Sequence, residues 1–386
     1  MSNVEDRALA AESEIGRINA FFPILPRLGN LWAATRPWEG QTIALNLHLT
    51  SLTGALLREL PLGGGTFVVS AANPATTDPG TVDVLRSQGI DVYTGGGRED
   101  HHDQVLDHHP NLIVDVGFGL VERLLSRRPK QVGELKGAVE LTRSGITRLR
   151  SAKKVPFPVV NINDGRLKNA VENRHGVGEA LWQAVAQLTG MHLAGRRVVV
   201  IGYGPVGRGI AAYARAAGMA VEVVDRDAVQ RLFAHYDGFP TPDLKDALTR
   251  ASLLVTATGA TGAVSAEMLQ HAKDGLVLAN AGHGGDEIEI AAIRRAARAI
   301  DNVVPHVVRY HLESGNRVTV LGDGHPLNIV TNSGSPEPVL LHYAVLGLAL
   351  ERVARGGLPN GEVLVPDDIE DQAAELALNA LESTAG

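Results

Sequence analysis

There is no cysteine among the 386 residues. That excludes disulfides, thiolate metal sites and cysteine nucleophiles. No excess of positive charge is present: the formal net charge is −7, which gives no electrostatic case for nucleic acid or an anionic membrane as partner. No apolar run is long enough to cross a bilayer. The opening stretch MSNVEDRALAAESEIG is acidic and polar, so it is not expected to act as a secretory leader. Neither a G-x-S-x-G elbow nor a P-loop occurs, and there is no internal repeat or low-complexity tract. What remains is ordinary for a globular chain, 44% hydrophobic and 20% charged. The length suffices for two domains, and a cytoplasmic location is the expectation.

The most informative stretch is 197–227, RVVVIGYGPVGRGIAAYARAAGMAVEVVDRD. Val198 to Ile201 form a β-branched run that predicts a buried strand. Gly202, Gly204 and Gly207 then fit G-x-G-x-x-G, with Tyr203, Pro205 and Val206 between them. An Ala-rich helical pattern and a second strand, Val221 to Val224, follow, ending on Asp225. Each glycine has a physical role. Gly202 permits the tight turn, Gly204 lets a pyrophosphate approach the backbone, and Gly207 lets helix and strand pack closely. The free N–H groups at the helix start would hold the pyrophosphate. Asp225 would take the ribose hydroxyls of an NAD adenosine. Arg226 beside it would favour a 2′-phosphate, but Asp225 repels one, so the expected cofactor is NAD rather than NADP.

Before this unit the pattern alternates strand and helix. Residues 5–35 read as helices. Strands are expected over 41–47, 66–70, 91–93, 112–115, 137–141 and 159–161, with Thr50-Ser51 capping a helix that runs to about 60. A helix over 176–194 leads into the second domain, where strands are expected over 253–256, 275–280, 303–308 and 317–321. Apolar helix 338–354 should return to the first domain, and 367–384 should form an acidic terminal helix. This alternation predicts an α/β protein with parallel sheets. His101, His102, His108 and His109 with Asp103 and Asp107 read as a solvated polar segment, so no metal is expected. Glu287 and Glu289 read as the start of a helix, where acids suit the dipole.

Several separated motifs, in order, resemble the S-adenosylhomocysteine hydrolase family. They are Leu47-His48-Leu49-Thr50; Asn161-Ile162-Asn163-Asp164 followed by Lys168, Glu172, Asn173 and Gly176; Gly202-Tyr203-Gly204; Val255-Thr256-Ala257-Thr258-Gly259; Asn280-Ala281-Gly282-His283; and Leu327-Asn328. The resemblance spans about residues 40 to 375. It implies two doubly wound parallel-sheet domains, the second a Rossmann NAD-binding domain, plus a C-terminal helical segment. The divisions expected are 1–174 for substrate, 175–333 for NAD, and 334–386 as the return and terminal helix. A homo-oligomer, dimer or tetramer, is also implied. The family oxidises a ribose 3′-hydroxyl with bound NAD, eliminates a thiol beside the ketone, adds water and reduces the ketone back.

By that resemblance Lys168 is the catalytic lysine, with Glu172 where the family has aspartate and Asn173 on the nicotinamide side. His283 lies near nicotinamide and substrate, and His48 near the leaving group. Asp115 matches the first of two consecutive aspartates. Thr142, Ser144, Asn173, Thr258, Gly282 and Asn328 are the further cofactor contacts. The substrate end departs from the family. Val116 replaces the second aspartate, Leu141 the glutamate that holds the ribose diol, and Leu52 an acidic contact to adenine. Gly334-Ser335-Pro336 stands where the family has Gly-His-Pro, and the family's terminal Lys…Tyr clamp is not matched. The expectation is an NAD-dependent enzyme that oxidises a hydroxyl of another small molecule. The alternatives are a true adenosylhomocysteinase and an inactive NAD-binding regulator.

Overall fold

The computed structural model describes residues 2–384 apart from 96, 153 and 283–285. Among these residues fourteen strands occur, in chain order β1 Thr42–Leu47, β2 Thr66–Ala71, β3 Asp91–Tyr93, β4 Leu112–Asp115, β5 Gly137–Glu140, β6 Pro158–Asn161, β7 Arg197–Ile201, β8 Ala220–Val224, β9 Leu253–Thr256, β10 Leu276–Asn280, β11 Ala297–Val304, β12 Val307–Leu312, β13 Arg317–Leu321 and β14 Gly361–Leu364. The chain divides into two compact units. One comprises Met1–Lys168 with Pro336–Gly386, and the other Asn169–Ser335.

In the first unit the sheet order is β14-β6-β5-β4-β1-β2-β3, and every adjacent pair is parallel. Successive strands depart from β1 in both directions, so the order reverses between β1 and β4. The strands are short apolar runs because helices cover both faces. One face packs with Leu45, Val69, Val114 and Val139 in a core that includes Trp32 and helix Glu337–Arg355. The other packs Ala44, Ile113, Ala138 and Val159 against Phe118, Leu120 and Ile146.

The second unit orders its strands β11-β12-β13-β10-β9-β7-β8. The run from β8 to β13 is parallel, and the order reverses between β7 and β9. The expected strand over 303–308 is instead a hairpin. Antiparallel β11 and β12 meet around Val304↔Val307, with His306 at φ 65° supplying the turn. β14 was not expected either: it is a half-exposed edge strand beside β6.

Helix starts also differ in detail. Thr50 occupies the N-cap position of helix Ser51–Glu59, but its side chain makes no capping bond. Asp78 does cap, accepting from the Gly80 and Thr81 N–H groups ahead of helix Pro79–Ser87. The helix expected over 176–194 covers Val177–Thr189, and a π-helical segment, Lys168–Gly176, runs into it. Such wide turns recur at functional sites.

Candidate active site

In a parallel α/β sheet, ligands bind beyond the carboxyl ends of the strands, where strand order reverses. In the first unit those ends carry His48 after β1, Asp115 and Val116 at β4, Glu140, Leu141 and Thr142 at β5, and, beyond β6, Lys168.

A buried polar network joins these ends. Ser70 Oγ donates to Asn46 Oδ1 (3.2 Å), and Asn46 Nδ2 donates to Asp115 Oδ1 (2.8 Å). The Val121 N–H donates to Asp115 Oδ2 (3.0 Å). Glu140 accepts from the N–H groups of Gly117 (3.0 Å), Phe118 (2.9 Å) and Thr142 (2.8 Å) and from Thr142 Oγ1 (2.6 Å). Thus Asp115, expected at the chemistry, is fully buried and engaged by the fold. Thr142 caps helix Arg143–Ser151, accepting from the Gly145 N–H, and lies 3.3 Å from Ser144 Oγ. Val116 and Leu141 are 7% and 6% exposed and belong to the apolar core. Leu52 is half-buried against the same core. Three positions that would be acidic in the family are therefore apolar in fact as well as in sequence.

His48 Nδ1 lies 2.6 Å from Thr76 Oγ1, and Thr53 Oγ1 donates to the His48 carbonyl oxygen (2.5 Å). Thr53 also meets the Tyr343 hydroxyl at 3.1 Å. Next to Tyr343 stands His342, which sequence reasoning missed because it reads as part of an apolar helix. It is 4% exposed, and neither ring nitrogen has a hydrogen-bond partner among the described residues. Burial, and then the charge of Lys168, hold its pKa well below the usual imidazole value.

Lys168 is partly accessible, yet protein surrounds its ammonium closely enough that lost hydration lowers the pKa to about 7. Packing around the charge, rather than residual accessible area, sets that value. Glu172 and Asn173 follow on the same π-helical segment, where Asn173 Nδ2 is 3.5 Å from Asn169 Oδ1.

In the second unit, Gly202 has φ +95°, which favours glycine. A Cβ at Gly207 would lie 1.9 Å from the Gly202 carbonyl oxygen, whereas one at Gly204 would meet nothing within 4 Å. The turn is thus closed on its inner side and open above Gly204. Pro205 starts helix Pro205–Ala216 at a position whose N–H would have no intrahelical partner, and Val206 packs on the unit's core. Asp225 Oδ2 accepts from the Tyr203 N–H (2.7 Å) and Oδ1 from the Asp227 N–H (2.9 Å). The carboxylate is therefore fixed at the end of β8 beside the glycine turn. Arg226 is exposed. These features fit a dinucleotide: open backbone for a pyrophosphate and an oriented carboxylate for ribose hydroxyls.

Across the order reversal, Thr256 Oγ1 donates to Asn280 Oδ1 (3.0 Å), as does the Gly282 N–H (2.7 Å). Asn280 Nδ2 donates to the Gly324 carbonyl (2.8 Å), close in sequence to Leu327-Asn328. Glu287 is not an exposed acid at a helix start. It is fully buried and accepts from the Thr258 N–H and hydroxyl and the Gly259 N–H. Glu289 does precede helix Ile290–Arg295. His283 lies outside the described residues.

The histidine-rich segment is not simply solvated. His101 and His102 are buried, and His101 Nε2 donates to the Gly95 carbonyl (2.8 Å). Among the described residues no His/Asp/Glu group is arranged to hold a metal ion, and no helix is long and apolar enough to cross a membrane.

A glycine turn, an oriented acid and an order reversal at the strand ends define a dinucleotide-binding α/β protein. Residues 173–334 match the family model described as S-adenosyl-L-homocysteine hydrolase, NAD binding domain. The chain is 33% identical to an adenosylhomocysteinase of Pyrococcus abyssi, with 98% of this chain and 93% of the relative covered. It is 32% identical to an S-inosyl-L-homocysteine hydrolase of Methanopyrus kandleri, covering 93% and 88%. The chain belongs to the S-adenosyl-L-homocysteine hydrolase family. A solved dipicolinate synthase chain from Bacillus halodurans shares the fold alone: 13% identity, TM-score 0.51, covering 82% of this chain and 99% of that one.

Proposed function

We propose that this protein is an NAD-dependent enzyme that oxidises a secondary hydroxyl, of the ribose 3′ type, on a substrate other than S-adenosylhomocysteine. The observation that carries the reading is the pairing of a lysine lowered to about 7 with apolar Val116 and Leu141 at the neighbouring strand ends. When bound, NAD supplies the acceptor for the carbon-bound hydrogen and its electron pair. Neutral Lys168 takes the hydroxyl proton, and a pKa near the working pH suits a general base. By the family resemblance, Glu172, Asn173, His283 and His48 are the further residues assigned to this chemistry. Once the carbon is a ketone, the adjacent C–H is acidified, which permits elimination or epimerisation there.

An adenosine site needs polar partners for its ribose diol and base. Each buried polar group left unmet costs about 1–3 kcal/mol, so several such losses disfavour adenosine strongly. End-to-end similarity to adenosylhomocysteinases favours a second reading, a genuine but divergent hydrolase. Absorbance near 340 nm distinguishes them. The first reading expects bound NAD to be reduced by another secondary alcohol and not by adenosine; reduction by adenosine supports the second. No reduction across a panel that also includes inosine would leave an NAD-binding regulator.

A further inference from the structure

Glu287 is a buried carboxylate that joins the loops after β9 and β10. One oxygen accepts from the Thr258 N–H (2.9 Å) and hydroxyl (2.7 Å), and the other from the Gly259 N–H (2.8 Å). All three donors are neutral, and no Lys, Arg or His pairs with Glu287 among the described residues. The side chain is fully buried. Gly282 sits against it so closely that a Cβ there would lie 1.5 Å from Glu287 Oε1. In all three contacts the carboxylate is the acceptor. A carboxylate buried among neutral donors is costly to desolvate when charged.

A dinucleotide binds across the point where strand order reverses. Here the glycine turn after β7 and Asp225 after β8 serve the adenosine side and the pyrophosphate. The loops after β9 and β10, which Glu287 ties together, are left for the nicotinamide side. The nicotinamide ring is cationic when oxidised and neutral when reduced. A fixed negative charge in a low-dielectric surrounding therefore stabilises the oxidised form selectively.

We propose that Glu287 is a charge-setting residue that makes this protein hold NAD+ more tightly than NADH, lowering the reduction potential of the bound couple. This rests on the reading that the second unit binds NAD. Its consequence is that the resting protein carries oxidised cofactor, ready to accept a hydride, and that the ketone stage is returned to alcohol readily.

The test is the pair of dissociation constants for NAD+ and NADH, measured by calorimetry on the full chain. Wild-type protein should bind NAD+ about tenfold or more tighter than NADH. Glu287→Gln removes the charge and keeps the size, and should reduce that preference by about tenfold, equivalent to about 30 mV for a two-electron couple. Glu287→Asp shifts the carboxylate but keeps its charge, so it should weaken both forms while preserving most of the preference. Equal wild-type affinities would overturn the proposal without any variant having to fold. So would a Glu287→Gln protein that loses both affinities in equal proportion. Wild-type protein that binds neither form would instead overturn the underlying NAD reading.

Discussion

Asp115 and Glu140 stand opposite each other in register on β4 and β5, both buried, with no cation paired to either among the described residues. The Glu140 carboxyl is pushed up to about 8, by burial first and by the Asp115 charge second. Burial raises Asp115 as well. The pair therefore holds a proton in the folded protein that the unfolded chain releases. It lies next in sequence to Val116 and Leu141, at the carboxyl ends of the two strands.

This fixes the sign of a pH dependence. Between the ordinary carboxyl value of 4.5 and about 8, the native state binds more protons than the unfolded state, so stability falls as pH rises. Urea midpoints measured from pH 5 to pH 7 should decline, with about 1.4 kcal/mol per pH unit from one retained proton. Glu140→Gln should be less stable at pH 5 but show a flatter slope. Parallel slopes for the two proteins would mean the pair shares no extra proton.

The glycine turn gives a contrast between two neighbours. Gly204→Ala meets open space at an ordinary φ of −70°, so stability should change by less than about 0.5 kcal/mol. NAD affinity should nevertheless fall tenfold or more, because the methyl occupies the pyrophosphate approach. Gly207→Ala places a methyl 1.9 Å from a backbone oxygen and should lose both NAD binding and several degrees of melting temperature. Calorimetric titration with NAD and thermal melts read both outcomes.

Lys168 should govern the rate of cofactor reduction. The neutral amine is the active form, so with an alcohol that reduces bound NAD the single-turnover rate should rise with pH through about 7. Lys168→Met should lower it by two orders of magnitude or more, within the range general bases contribute, while NAD affinity stays within a few-fold. A rate indifferent to this substitution would assign the base elsewhere.

Leu141→Glu restores an acid where the family holds the ribose diol. Its carboxylate would enter a site only 6% exposed, so stability should drop by about 1–3 kcal/mol. Adenosine affinity, followed by calorimetry, should rise relative to wild type. Unchanged or weaker adenosine binding would mean that Leu141 does not limit nucleoside recognition.

Much of this architecture is legible from sequence because buried parallel strands are unbroken apolar runs, as in Val198–Ile201 and Leu112–Val114. The glycine spacing is equally readable, since Gly202 and Gly207 each answer a local backbone demand. What escapes depends on contacts far along the chain. Glu287 reads as a helix-start acid until the loop after β9 folds against it. His342 reads as one position of an apolar helix until it is buried near Lys168. The hairpin Ala297–Leu312 reads as a single strand because its turn uses His306 at positive φ rather than glycine. β14 is four half-exposed residues whose pairing with β6 leaves no hydrophobic signature.

The most direct test incubates the NAD-loaded protein with adenosine and homocysteine and assays S-adenosylhomocysteine by mass spectrometry, alongside the 340 nm absorbance with other secondary alcohols. The account expects no condensation product and reduction of the cofactor by at least one alcohol that is not adenosine. Condensation at ordinary enzymatic turnover would show that the apolar strand ends around Val116 and Leu141 still accommodate the nucleoside, and would contradict it.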